Sequence, residues 1–323
     1  MESGTGKIVT IAIPTYNRAK ILQEALEYLL PECINFKNEI ELIISDNGST
    51  DETESVIVNA KQNFKELNII HNTNKDNQGF SGNFRKCISL STGKYVWILS
   101  DDDFVNKGVI SKIVETLNKE IEIGILFLEF LKKVNNKEPF KTNFYNSKEL
   151  IQKSGNRISL ISGVIFNKKG VDLLQLEHFK DNELIGLVPV FNTLLQFNKH
   201  VILEGNSLKI RYNPSVSFNP LKVFIFDLNL ILNELPIFYN KRIVNSFLCT
   251  NILNHYIPWK FKGMYKHEKI NDKFIFNLYK NYWTYWLFLF PFVLLPKFTP
   301  LNMAYKLKKM MDIIIINRYI GLN

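Results

Sequence analysis

Residues 95–103 read YVWILSDDD: an apolar run of strand length, a serine, then Asp101, Asp102 and Asp103. Adjacent carboxylates repel one another, so a fold that carries them at the mouth of a buried strand must supply a counter-charge. Carboxylates on a loop bind hard cations through oxygen. Mg2+ keeps only one or two protein carboxylates and takes its other ligands from water and phosphate, and Mn2+ suits the same oxygen donors. An ion shared between this run and a diphosphate would neutralise the charge that builds on the leaving group. An acidic cap on the helix expected over Lys107–Lys119 explains one of these aspartates, not all of them.

A second acid, Asp46, closes another apolar run in ELIISDNGSTDET. A carboxylate there can accept the imide N–H of uracil or thymine, a donor that cytosine lacks. The same stretch also spells a turn, because Asn47-Gly48 is a strong turn pair. Both readings stand on these residues alone. A third polar group, Thr15 and Asn17 in PTYNR, follows the first apolar run of the chain.

The hydrophobic spacing predicts the elements that must hold these groups. Val9–Ile13, Ile40–Ile44, Leu67–Ile70 and Tyr95–Leu99 are strand-like. Between them, helical spacing predicts helices over Ala19–Leu30, from about Thr50–Thr53 onward, and over Phe80–Leu90. A β-α-β-α-β-α-β order implies a Rossmann-like, mostly parallel sheet with helices on both faces. Ligands of such sheets gather at the carboxyl ends of the strands, beside a reversal in strand order. The three polar clusters fall at equivalent positions after three strands. Further on, strands are expected over Ile121–Leu131 and Ser159–Phe166, an exposed polar segment over Lys132–Asn156, and a helix over Val188–Phe197.

TIAIPTYNRAKILQEAL, ELIISDNGSTDET and NQGFSGNFRKCISLSTGKYVWILSDDD occur in the order and spacing of family 2 glycosyltransferases with the GT-A fold, and residues 7–125 resemble that family. The combination looks most like its abequosyltransferase-like branch, which builds bacterial surface polysaccharides. The resemblance implies that Pro14, Thr15, Asn17 and Arg18 line the nucleotide of a nucleotide-sugar donor and that Asp46, followed by Asn47, contacts the base. It also implies that Asn77, Gly79 and Asn83 pass along the nucleoside. Relatives often carry an arginine where this chain has Gly82, a departure from the pattern that bears on Arg85 as a candidate phosphate contact. Counting back from Lys107-Gly108 places the metal-binding acid on Asp102, with Asp103 beside it and Asp101 as the other flanking acid. Ser100 stands where the first Asp of the usual D-x-D motif would be. The implied cofactor is Mn2+ or Mg2+, and the implied reaction is inverting transfer from a UDP-linked sugar to a glycan or lipid-linked hydroxyl. The general base of that reaction is expected in HFKDNELIGLVPVF, on Asp181 or Glu183.

Two other classes compete. ILSDDDFV is similar to the opening motif of haloacid-dehalogenase phosphatases. That motif belongs near a chain's start, yet three expected strands precede it here, and no second Asp-Asp pair follows residue 103. A non-catalytic sugar-nucleotide or polysaccharide-binding scaffold would keep Asp46 and tolerate loss of the base. GTGKI at 4–8 lacks the spacing of a phosphate loop, and the five histidines show no ligand pairing.

The formal net charge of +9 is unevenly placed. Residues 1–215 carry 26 basic and 26 acidic side chains, whereas 216–323 carry 14 and 5, together with 23 of the 42 aromatics. This shift separates a neutral part over 1–215, which the resemblance implies is a GT-A domain, from a helical, basic, aromatic-rich C-terminal region expected over 216–323. The stretch from Tyr282 to Pro296 is 15 residues long, short of the ~20 that a membrane-spanning helix needs. It suits a buried helix, an oligomer contact, or a peripheral membrane contact beside Lys297, Lys306, Lys308 and Lys309. No nucleic-acid recognition module is found. The opening MESGTGKIVTIAIP shows no secretory leader, and Cys33, Cys87 and Cys249 show no pairing pattern. A cytoplasmic location, peripheral on the inner face of the membrane, is expected.

Overall fold

The computed structural model describes residues 6–119, 121–130, 140–211 and 222–235, with 260–261, 272–280, 290–295, 302–304, 306–307 and 309 of the remainder. Strand β1 (Val9–Thr15) and strand β2 (Ile40–Asp46) are buried nearly throughout, as strands covered on both faces must be. β3 (Ile69–Thr73) and β4 (Tyr95–Ile98) complete a parallel set in the order β3-β2-β1-β4. Helices α1 (Ala19–Cys33), α2 (Thr53–Asn63) and α3 (Gly79–Leu90) make the connections. Right-handed crossovers place α1 and α2 on one face, because β2 and β3 step outward from β1. The return to β4, on the other side of β1, puts α3 on the opposite face, where it packs on β1, β2 and β4.

Beyond β4 come a two-residue strand β5 (Phe104–Val105), helix α4 (Val109–Leu117) and β6 (Ile125–Leu128). They are followed by β7 (Lys141–Tyr145), α5 (Ser147–Ser154), β8 (Val164–Asn167), α6 (Leu173–His178), α7 (Leu187–Gln196), β9 (His200–Glu204) and β10 (Leu208–Lys209). The sheet runs β3-β2-β1-β4-β8-β6-β9-β7. Only β8 and β7 oppose the direction of the rest, pairing antiparallel with β4 and β6 and with β9. β10 pairs antiparallel with β5 in a small ribbon.

Two expectations change. Over Ser159–Phe166 the chain makes 3-10 turns, Gly155–Ser159 and Ile161–Gly163, and becomes strand only at Val164. The turn forms because Ser162 is drawn to β4: Trp97 Nε1 donates to its carbonyl at 2.8 Å and its Oγ accepts Ser100 N–H at 3.0 Å. Over Ile121–Leu131 only Ile125–Leu128 is strand. The described part of Lys132–Asn156 holds the exposed strand β7 and helix α5, and residues 132–139 lie outside the described residues.

The chain divides into two compact units, Met1–Leu150 with Arg157–Pro214, and Ile151–Asn156 with Ser215–Asn323. In the second, helix α8 (Leu228–Glu234) buries Leu228 and Ile231, and helical segments span Asp272–Tyr279 and Phe290–Leu294. Most of 282–296, and Lys297 and Lys308, lie outside the described residues. Lys306 and Lys309 are exposed. No helix among the described residues is long and apolar enough to cross a membrane.

Candidate active site

The strand order reverses between β1 and β4, and the polar clusters meet there. Register pairs Thr15 at the end of β1 with Asp46 at the end of β2. On the other side, the acidic run leaves the end of β4. Thr15 donates its hydroxyl to Asp101 Oδ2 at 2.8 Å. Arg18, at the N-cap of α1, reaches the same run: its Nη1 lies 2.7 Å from Asp101 Oδ1 and 3.2 Å from Asp102 Oδ2. Ser100 donates to Asp102 Oδ1 at 2.6 Å. Every carboxylate oxygen of Asp101 and Asp102 thus accepts a hydrogen bond.

All three aspartates are buried. Burial raises the Asp101 pKa despite the opposing pull of Arg18 and Thr15. Burial likewise raises Asp103, to about 6, against hydrogen bonds from Ser162 and from the backbone N–H of Arg211. Burial works against the charge of Arg18, yet Asp101 and then Asp102 hold its pKa above the ordinary arginine value.

Asp46 is buried with one oxygen committed to its own turn, where Oδ1 accepts the Ser49 N–H at 3.0 Å and the Ser49 hydroxyl. Its Oδ2 accepts no hydrogen bond among the described residues. The turn reading of Asp46 is what these bonds show, and they leave Oδ2 uncommitted among the described residues. Gly48 gives this turn its left-handed residue, with φ of 78°. Asn17, also at positive φ, accepts Thr50 N–H at 2.8 Å, tying the loop after β1 to the loop after β2.

Asn47 is the hub of the third loop. Its Nδ2 donates to Asn77 Oδ1 at 2.8 Å and Gly79 O at 3.1 Å, while its Oδ1 accepts from Asn74 Nδ2 at 2.9 Å and Gln78 N at 3.0 Å. Asn83 is buried and faces β2: Ser45 Oγ donates to its Oδ1 at 2.6 Å, and its Nδ2 donates to Ser45 O at 2.8 Å. Arg85 pairs with Glu177. Pro14 holds the penultimate position of β1.

Asp181 and Glu183 are exposed on the loop before α7. Between them, Asn182 is buried, and Ser81 near the start of α3 donates to its carbonyl at 2.8 Å. That bond anchors the loop beside Asn77 and Gly79, at the carboxyl edge. Glu183 also borders a cavity of about 150 Å³ lined by Phe80, Ile161, Leu184 and Leu187.

Three contributors escaped the sequence reading. Ser49 holds Asp46 in its turn, while Ser162 lies 62 residues beyond its partner Ser100 and Arg211 lies 108 beyond Asp103, separations that carry no local signal. The oxygen-only donor set suits a hard cation. Among the described residues no three acidic, His or Cys side chains form a ready cage, and the seat between Asp101 and Asp102 is held by Arg18. An ion that takes one or two carboxylates and completes its shell elsewhere fits this arrangement.

Comparison with known proteins gives a consistent picture. The model of "Glycosyl transferase family 2" matches residues 10–171. Abequosyltransferase RfbV of Salmonella typhimurium is 35% identical over 116 residues, 36% of this chain and 34% of that protein. The GalNAc(5)-diNAcBac-PP-undecaprenol beta-1,3-glucosyltransferase of Campylobacter jejuni is 26% identical over 175 residues, 54% of this chain and 55% of that one. The matched part therefore spans about a third to about half the length of these relatives. Among solved structures, S. aureus TarS 1–349 in complex with UDP-GlcNAc superposes with a TM-score of 0.64 at 18% identity, covering 97% of this chain and 91% of that chain. The Pyrobaculum calidifontis mannosyltransferase PcManGT, with GDP-Man and Mn2+, superposes at 0.51 and 13% identity, over 94% and 75% of the two chains. These likenesses establish the GT-A fold.

Proposed function

The chain belongs to glycosyl transferase family 2, and from that premise we propose that it transfers a sugar, with inversion, from a UDP-linked donor to a hydroxyl of a bacterial surface glycan or lipid-linked oligosaccharide. The observation that carries this reading is the convergence of Thr15, Asp46 and the Asp101–Asp103 run at the point where strand order reverses. A nucleotide laid across that point meets one acceptor oxygen, Asp46 Oδ2, suited to the uracil imide. The loop pinned by Asn47 borders the nucleoside, with Asn77 and Gly79 on its rim. Asp102, with Asp103 beside it, would hold Mn2+ or Mg2+, which supplies charge neutralisation at the diphosphate.

Asp181 or Glu183 takes the proton of the acceptor hydroxyl as that oxygen bonds to the anomeric carbon and the bond from that carbon to the diphosphate oxygen breaks on the opposite side, UDP leaving with the electron pair. Their exposure suits a base that must meet an acceptor arriving from solvent. Wild-type transfer rates in both Asp181→Asn and Glu183→Gln would remove this assignment. The Campylobacter jejuni relative, a glucosyltransferase of an undecaprenol-linked glycan, supports the acceptor class. For residues 216–323 we propose peripheral contact with an anionic membrane surface, supported by their excess of 14 basic over 5 acidic side chains.

The test is a screen of nucleotide sugars for Mn2+-dependent thermal stabilisation, since a ligand that binds only the folded chain raises its melting temperature. Stabilisation by UDP-sugars with Mn2+, and weaker stabilisation by CDP-sugars, is expected. Melting indifferent to every nucleotide would overturn the reading.

A further inference from the structure

Arg18 holds the acidic pair in an unusual way. A guanidinium meeting a carboxylate commonly donates two parallel N–H bonds from two nitrogens. Here a single nitrogen, Nη1, serves two carboxylates, at 2.7 Å to Asp101 and 3.2 Å to Asp102. Nη2 and Nε of Arg18 make no hydrogen bond among the described residues. The contact to Asp102 is the longer one, and the Arg18 side chain keeps 28% exposure. The two carboxylates are fixed without Arg18's help, Asp101 by Thr15 and Asp102 by Ser100. The backbone of Arg18 is fixed too, because its carbonyl accepts the first intrahelical bond of α1 from Leu22 at 2.9 Å. Only its side chain is free to exchange partners.

The charge balance gives a reason for exchange. One guanidinium offsets one of the two charges on Asp101 and Asp102, and Asp103 adds a third when ionised. A divalent ion offsets both at once, and a second cation in the same seat is repelled. We propose that Arg18 is a resident counter-cation, displaced from Asp102 when a divalent ion arrives, and that its guanidinium then serves the donor's diphosphate. Arg18 would thus keep the acidic run tolerable while no donor is bound, and supply a phosphate clamp once one is. Its unspent Nη2 and Nε donors suit the bidentate geometry of a phosphate. Ion binding to the free protein would be weakened by competition with Arg18, and binding of ion with nucleotide would be strengthened by it.

The inference rests on the donor reading above, and titration of the full chain with Mn2+ alone tests it separately. Followed by electron paramagnetic resonance without nucleotide, Arg18→Gln is expected to bind Mn2+ about tenfold more tightly than wild type. In calorimetry with Mn2+ and UDP together, the same variant is expected to bind UDP about tenfold more weakly. Asp102→Asn should lose Mn2+ in either background. Equal or weaker Mn2+ binding by Arg18→Gln, or none by either protein, overturns the exchange and leaves the donor reading to its own screen. Should Arg18→Gln not fold, the wild type answers by NMR. Addition of Mg2+ must move the Arg18 Nε–H resonance, and a resonance left in place overturns the proposal.

Discussion

Thr15 and Asp101 are joined by a 2.8 Å hydrogen bond across the reversal in strand order, linking the carboxyl ends of β1 and β4. The bond is buried, so it is both a structural tie and the means by which one oxygen of Asp101 is kept hydrogen-bonded. Thr15→Val keeps the shape and removes the donor. We expect it to cost about 1–3 kcal/mol in a denaturant titration, the usual penalty for orphaning a buried acceptor. A cost near zero would show that water replaces the hydroxyl.

Asp46 commits Oδ1 to the Ser49 turn and keeps Oδ2 without a hydrogen bond among the described residues. Asp46→Asn replaces one acceptor with a donor that cannot face an imide N–H. Calorimetry should show UDP affinity lowered by about tenfold or more, with the preference for UDP over CDP reduced. Unchanged nucleotide preference would remove Asp46 from the base contact.

Asn47 fixes four partners in the 74–79 loop through one side chain. Asn47→Ala is expected to lose about 2–4 kcal/mol of stability, because several polar groups lose partners at once. Hydrogen exchange should speed at Gln78 and Gly79. Protection left intact at Gln78 would mean that the loop holds itself.

The pH dependence of stability in EDTA contains opposed contributions, from His200 on one side and from Asp103, with Asp101 acting in the same sense, on the other. His200 is buried and its pKa is lowered to about 4, chiefly by burial, with Ile125 N–H donating to its Nδ1 at 3.1 Å. Its folded pKa lies below the unfolded one, so the unfolded chain binds the extra proton, and stability falls as pH drops from about 6.5 to 4. The loss amounts to about 3 kcal/mol. Asp103 acts with the other sign. Its pKa is raised to about 6, so the folded chain binds the proton first, and stability rises as pH drops through the same range. The wild type should show a shallow profile between pH 4 and 6. Asp103→Asn should steepen the acid loss, and His200→Gln should reverse the slope. Parallel profiles in all three proteins would contradict both shifts.

The sequence by itself determined the first half of the sheet and the chemistry gathered at its edge. Apolar runs of strand length alternating with helical spacing imply a parallel set of four strands, whose common direction brings Thr15, Asp46 and Asp101–Asp103 to the same end, while the order β3-β2-β1-β4 is seen only in the structure. The parallel set is local pattern joined to a general rule of β-α-β connection. After residue 104 the periodicity weakens and local pattern misleads. Ser159–Phe166 looks like one strand, but Trp97 and Ser100 pull Ser162 into a turn. β5, β7, β9 and β10 lie outside the strands expected from the sequence, and each is held by the neighbour that pairs with it.

Tertiary structure alone decided how the site's charges are shared. Nothing in the order of residues says that Arg18 lies between Asp101 and Asp102, that Ser162 and Arg211 support Asp103, or that Arg85 turns to Glu177. Residue type fixes which partners a group can accept, whereas the partner it takes depends on distances between segments far apart in the chain. Electrostatic energy falls off with those distances and depends on burial, and both are set only when the sheet closes.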